Sequence, residues 1–134
     1  MKTLKLNEDF ELDFLILGIN SHTKLYKLCW EINKELHTNF VKNKNHTINK
    51  NQEFERFSYT DKNSKTRYNI LSNISNTGYL ETKNKSVNYF MIIQGGVYNT
   101  KIIIERLNQI EDILLVFELN LSKIKSVTPF IIND

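Results

Sequence analysis

Three histidines, His22, His37 and His46, and a single cysteine, Cys29, are the side chains from which a hydrolytic, redox or metal centre would have to be assembled. Their spacing argues against one. None of the histidines stands in a zinc-ligand repeat or four residues ahead of an acid on a helix. One cysteine allows neither an intrachain disulfide nor a zinc site built on several thiolates, which fits a reducing cytoplasm and makes cytoplasmic the expected location. Cys29 also falls on the apolar stripe of a helix, where a thiol packs rather than attacks. The acids occur as neighbours on turns, such as Glu111 and Asp112, where solvation explains them. The chain contains neither a serine nucleophile elbow nor a Walker lysine loop. No catalytic grouping, cofactor or metal is expected.

Two patterns suit binding instead. The run "SVNYFMIIQGGVYNT" passes from an apolar strand through Gly95 and Gly96 into a helix. Backbone N–H groups at such a junction can face an anion, since a helix N-terminus carries partial positive charge. The run lacks G-x-G-x-x-G spacing, a P-loop lysine and a downstream acid. Glycine's access to positive φ explains a plain turn equally well. The second pattern is "VKNKNHTINKNQ", an acid-free stretch containing Lys42, Lys44 and Lys50. It reads as a solvated loop, or as a nucleic-acid contact beside stacking aromatics drawn from Phe57, Tyr59, Tyr68, Tyr89 and Phe90. The net charge of +3 is small for a nucleic-acid binder.

The elements that would position these residues follow from periodicity. A chain of 134 residues, 40% hydrophobic and 25% charged, supports one globular domain, here residues 1–134, with its own core. Glu8, Asp9, Glu11 and Asp13 interrupt the first apolar stretch, so the N-terminus reads as mature protein rather than a secretion signal. No stretch approaches the roughly 20 apolar residues of a membrane helix, and no membrane partner is expected. Residues 12–19 read as a strand. Leu25, Leu28, Cys29, Ile32 and Leu36 recur at helical spacing, with Asn20, Ser21 or Thr23 available as a cap. Beside them runs a second stripe of Tyr26, Trp30, Asn33 and His37, either the edge of the core or an aromatic contact to a partner. Residues 39–52 lack a period and read as an exposed connection. Residues 53–60 and 67–74 form a hairpin around "DKNSKT". The strand ending at Gln94, a helix capped by Asn99, a last strand in "EDILLVFEL" and a turn capped by Asn120 complete the chain.

The order β-α-β-β-β-α-β predicts an α+β fold. It is expected to be a ferredoxin-like two-layer sandwich with a mostly antiparallel sheet of about five strands and two helices on one face. That arrangement leaves one difficulty. Phe90 and Ile92 alternate with Tyr89, Met91 and Ile93, so the central strand is apolar on both faces, while helices cover only one. A second copy of the chain, another protein, or the terminal "VTPFIIND" with Phe130, Ile131 and Ile132 must cover the other.

The segments "LILGINSHTKLYKLCWEINKEL", "VNYFMI" and "RLNQIEDILLVFELNLSKIKS" resemble the IPExxxVDY family of small bacterial proteins. Val87 and Tyr89 match its signature, Asn88 stands in place of the aspartate, and Glu81, Thr82 and Lys83 stand in place of Ile-Pro-Glu. The resemblance implies no established activity. The favoured reading is a non-catalytic interaction or assembly module, homodimeric or bound to another protein, with Phe90, Ile92, Tyr26 and Trp30 as contact residues. RNA binding through Lys42, Lys44, Lys50 and the sheet aromatics is the first alternative. A small-ligand regulatory domain using the Gly95–Gly96 turn is the second.

Overall fold

Runs rich in β-branched and aromatic residues become strands, and the two stretches of 3.6-residue period become helices. The computed structural model describes residues 3–7, 10–49, 51–96, 98–123 and 126–132. In chain order the elements are β1 (Thr3–Asn7), β2 (Phe10–Asn20), α1 (Leu25–Leu36), β3 (Val41–Asn49), β4 (Gln52–Asp61) and β5 (Thr66–Ser72). A short ribbon, β6 (Ile74–Ser75) and β7 (Gly78–Tyr79), precedes β8 (Tyr89–Gln94), α2 (Thr100–Leu107) and β9 (Leu115–Glu118). Short 3₁₀ turns follow at Leu121–Lys123 and Thr128–Phe130.

The protein is α+β, with two α-helices among the described residues and a sheet whose described strand pairs all run antiparallel. Along the sheet the order is β9-β2-β8-β5-β4-β3, and β1 pairs with the start of β2. This gives seven strands, more than the five expected, and a different order from the ferredoxin-like one. The crossover β8–α2–β9 encloses one strand, β2, but β2–α1–β3 encloses three.

The two additional strands are β1 and β3, and the change of order comes from β3, which the sequence presents as an irregular connection. Register shifts between Asn43 and His46 and between Thr47 and Asn49 break its alternation twice, so no apolar row marks it. Lysines and bulges of this kind are what an edge strand uses to discourage pairing with other chains.

The two apolar faces of β8 enter two separate cores. Met91 and Ile93 pack with Leu15, Leu17 and Ile19 of β2 and with the buried faces of α1 and α2, where Leu28, Ile32, Ile103 and Leu107 lie. Phe90 and Ile92 join Ile16, Phe54, Leu71, Leu80, Val87, Leu119, Phe130 and Ile132 on the opposite side. The rings of Phe90 and Phe130 meet edge to face with centroids 5.1 Å apart. Of the three covers open to the sequence, the one in place is the chain's own terminal segment, helped by the segment before β8. Phe90 and Ile92 are both 0% exposed, so they are core residues and not the contact surface expected of them. Burying side chains of this size contributes about 1.5–3 kcal/mol each.

One close approach on this side requires glycine. A Cβ on Gly18 of β2 would lie 2.6 Å from Cζ of Phe117, its partner in β9, whose ring lies over the bare backbone.

Candidate interaction surface

The first helix has two dissimilar flanks. Toward α2, Lys27 Nζ lies 3.6 Å from Asp112 Oδ2, and Glu35 Oε2 lies 4.0 Å from Arg106 Nη1. Burial and a hydrogen bond with Asp112 raise the Glu31 carboxyl above its ordinary range on this same flank. Away from α2 runs the stripe of Tyr26, Trp30 and Asn33, while His37, the fourth residue expected in it, lines an opening with Arg106 and Ile110 on the α2 side. Tyr26 is 65% exposed and Trp30 58%, and Lys34 Nζ stands 3.6 Å from the Trp30 ring centre. The aromatic pair is therefore a surface feature, and the core edge ends at Asn33.

Asn33 fixes what lies beside that pair. Its Oδ1 accepts from Phe40 N at 2.7 Å and Thr38 Oγ1 at 2.9 Å, while Nδ2 donates to Phe40 O at 3.1 Å. His37 closes the helix in the left-handed region at φ 56°, so it is a capping residue. Phe40, held in this way, packs against Tyr59 and Tyr68 with ring centroids 5.8 and 6.0 Å away. Burial, then Asp61 and Tyr59, raises the Tyr68 phenol. Buried Phe40 and half-buried Tyr59 and Tyr68 thus form an aromatic cluster tied to the Tyr26–Trp30 flank through Asn33.

The other expected sites are dispersed by the fold. Lys42 Nζ reaches Glu55 Oε2 at 3.1 Å and the Phe57 ring at 5.6 Å, on the side of the sheet that faces the helices. Lys44 lines a cavity with Ile132 on the other side. Lys50 lies outside the described residues. Phe90, the fifth stacking aromatic, is buried beneath Phe130, away from Phe57, Tyr59, Tyr68 and Tyr89. Lys42, Lys44 and the five aromatics therefore do not share one face of the sheet.

Gly95 and Gly96 have φ values of 67° and 62°, a conformation that favours glycine. A Cβ on Gly96 would collide with Ser64 O and Thr66 Oγ1. The pair therefore turns the chain against the β4–β5 hairpin, and that packing accounts for both glycines without an anion. The start of α2 is closed by Asn99, as expected, whose Oδ1 accepts from Ile102 N at 3.1 Å.

The residues with chemical potential are spread apart. Cys29 is buried, and desolvation, with Glu55 nearby, pushes its thiol up to about 12. His22 is exposed, whereas His46 Nε2 lies 2.7 Å from Pro129 O and, facing a carbonyl, donates to it. Among the described residues no group of three or more His, Cys, Asp or Glu side chains is placed to hold a metal ion. No described helix is long and apolar enough to cross a membrane.

Sequence reading missed a buried polar network that organises the chain before β8. Asn73, 0% exposed, donates through Nδ2 to Asn84 O and Val87 O and accepts Glu81 N at Oδ1. Asn88 Oδ1 accepts Ser21 N at 2.8 Å, Ser21 Oγ donates to Asp112 O, and Tyr89 Oη donates to Thr23 O. Partners so distant in sequence leave no local signal. The chain matches no protein-family model and no curated protein.

Proposed function

We propose that this protein is a non-catalytic interaction module that self-associates as a homodimer through the Tyr26–Trp30 flank of α1. The observation that carries this reading is the pair of large aromatic side chains, more than half exposed, one turn apart on a helix whose Leu25, Leu28, Cys29 and Ile32 are buried in the core. Interfaces are enriched in such residues, which bury much area at little rotamer cost. Asn33 and the Phe40–Tyr59–Tyr68 group brace the neighbouring surface through a hydrogen bond and ring contacts, which reduces the side-chain ordering that docking costs.

The reading also accommodates the VNY segment. Asn88 needs only an acceptor oxygen to hold Ser21 N, a role that the aspartate of the IPExxxVDY signature would fill equally, so we propose that this resemblance reflects scaffold and not chemistry. The sheet face no longer needs a partner. Phe90→Asp would place a charge against Phe130 and unfold the chain before it separated any assembly.

Sedimentation velocity of the wild type and of Tyr26→Ala/Trp30→Ala tests the proposal. We expect a concentration-dependent dimer for the wild type and a folded monomer for the double variant. A wild type that sediments as a monomer at every concentration, or a double variant that still dimerises, would remove this reading.

A further inference from the structure

The core on the far side of the sheet is closed by a segment that stands apart from the strand ladder. Thr128 N donates to Ser126 Oγ, Pro129 has no N–H, Phe130 N donates to Val127 O, and Ile131 N donates to Thr128 O. Positions 128–131 therefore spend their donors within the segment and give the sheet none. Side-chain burial seats it instead: Phe130 is 0% exposed and Ile132 4%, while Ser126 and Thr128 face solvent. No residue from Ser126 to Ile132 is charged. An opening of about 410 Å³ borders the segment at Thr128, Ile131 and Ile132, between it and β3, where His46 Nε2 meets Pro129 O. On that flank the segment can lift without displacing a strand.

The groove beneath the segment is built without it. Ile16, Phe54, Leu71, Phe90 and Ile92 form its floor and come from four strands, and Leu80 and Val87 add a wall from the chain before β8. Asn73 fixes that wall, donating to Asn84 O and Val87 O and accepting from Glu81 N. Sheet pairing and buried hydrogen bonds thus hold floor and wall in place before any occupant arrives. What the groove accepts is defined by the segment now in it. One position takes an aromatic ring edge to face with Phe90, and another, two residues on, takes an aliphatic side chain.

We infer that this groove is a second docking site, autoinhibited by residues 126–132, for an uncharged peptide segment of another protein that carries an aromatic residue and an aliphatic one two positions later. Phe130 and Ile132 are the template for its two anchors, and the apolar floor favours a peptide without charge. The occupant in cis lowers a competitor's apparent affinity by the fraction of chains in which the groove is open. Loosening Phe130 therefore strengthens the incoming peptide, the opposite of what removing a contact residue does. Tyr26 and Trp30 take no part, so this site and the α1 dimer stand or fall separately.

The probe is the peptide SVTPFII, acetylated and amidated at its ends, titrated calorimetrically into the full chain. Phe130→Ala is expected to bind it at least about 100-fold more tightly than the wild type, the factor that corresponds to losing one buried phenylalanine from the occupant in cis. Phe130→Leu is expected to fall between the two, and this milder variant carries the test should Phe130→Ala not fold. The same peptide with alanine in place of its phenylalanine is expected to bind none of the chains. A wild type that binds SVTPFII as tightly as a folded Phe130 variant would overturn the autoinhibition. Folded variants that do not bind it, or that bind the alanine peptide equally well, would overturn the groove as a docking site.

Discussion

Individual side chains in this protein are fixed by their surroundings more than by their chemistry. The Cys29 thiol, raised to about 12 by burial, stays protonated across the physiological range, so iodoacetamide at pH 8 should modify it far more slowly in the folded chain than in denaturant. Because the folded value lies above the unfolded one, folded protein holds its proton longer. Stability contributed by the neutral thiol is therefore complete below about pH 8.5 and is lost as pH rises toward about 12, a decline that Cys29→Ala should flatten in pH-dependent melts. Asn73→Ala leaves Glu81 N and the carbonyls of Asn84 and Val87 without their buried partner. A loss of about 2–4 kcal/mol in urea unfolding is expected, with the secondary structure retained in dilute buffer. Asn99 as a cap and Cys29 as a packing group were legible, since helical spacing and capping preference are local. Asn73, Asn88 and Arg56 were not, because their partners come from other strands and loops and an isolated polar letter carries no period.

At the scale of elements, legibility follows the regularity of burial. Both helices show a 3.6-residue period because one face of each is packed, β8 reads as a continuous apolar run because both of its faces are, and the β4–β5 hairpin is marked by its aromatic residues and turn chemistry. Among the described residues the edge strand β3 pairs only with β4, carries two register shifts and exposes Lys42 and Lys44, so the rules that protect an edge also erase its pattern. Missing it together with β1 led to the shorter sheet, and missing it led to the ferredoxin-like order. The terminal segment shows the converse. Phe130, Ile131 and Ile132 signalled burial without a period because a 3₁₀ turn, and not a strand, delivers Phe130 onto Phe90. Phe130→Ala should cost about 3–5 kcal/mol and increase binding of a hydrophobic dye, since the cavity left behind opens the second face. A change below about 1 kcal/mol would mean that the segment contributes little to that core.

Taken as a whole, the chain resolves its two-sided strand internally and keeps its surplus aromatic surface elsewhere. Two cores lie on opposite sides of one antiparallel sheet, the helices serving one and the segments before β8 and after β9 serving the other. The exposed aromatic pair then remains on α1, away from the Lys27–Asp112 and Glu35–Arg106 ion pairs and from the cavity beside β3. Trp30 is the chain's one tryptophan, so its fluorescence reports on the central claim without labelling. The measurement is its emission maximum across a dilution series, read alongside sedimentation mass on the same samples. The dimer account predicts emission that moves to shorter wavelength as mass doubles, because the exposed indole becomes covered. Emission that stays at the solvent-exposed position while mass doubles, or mass that never doubles, would contradict it.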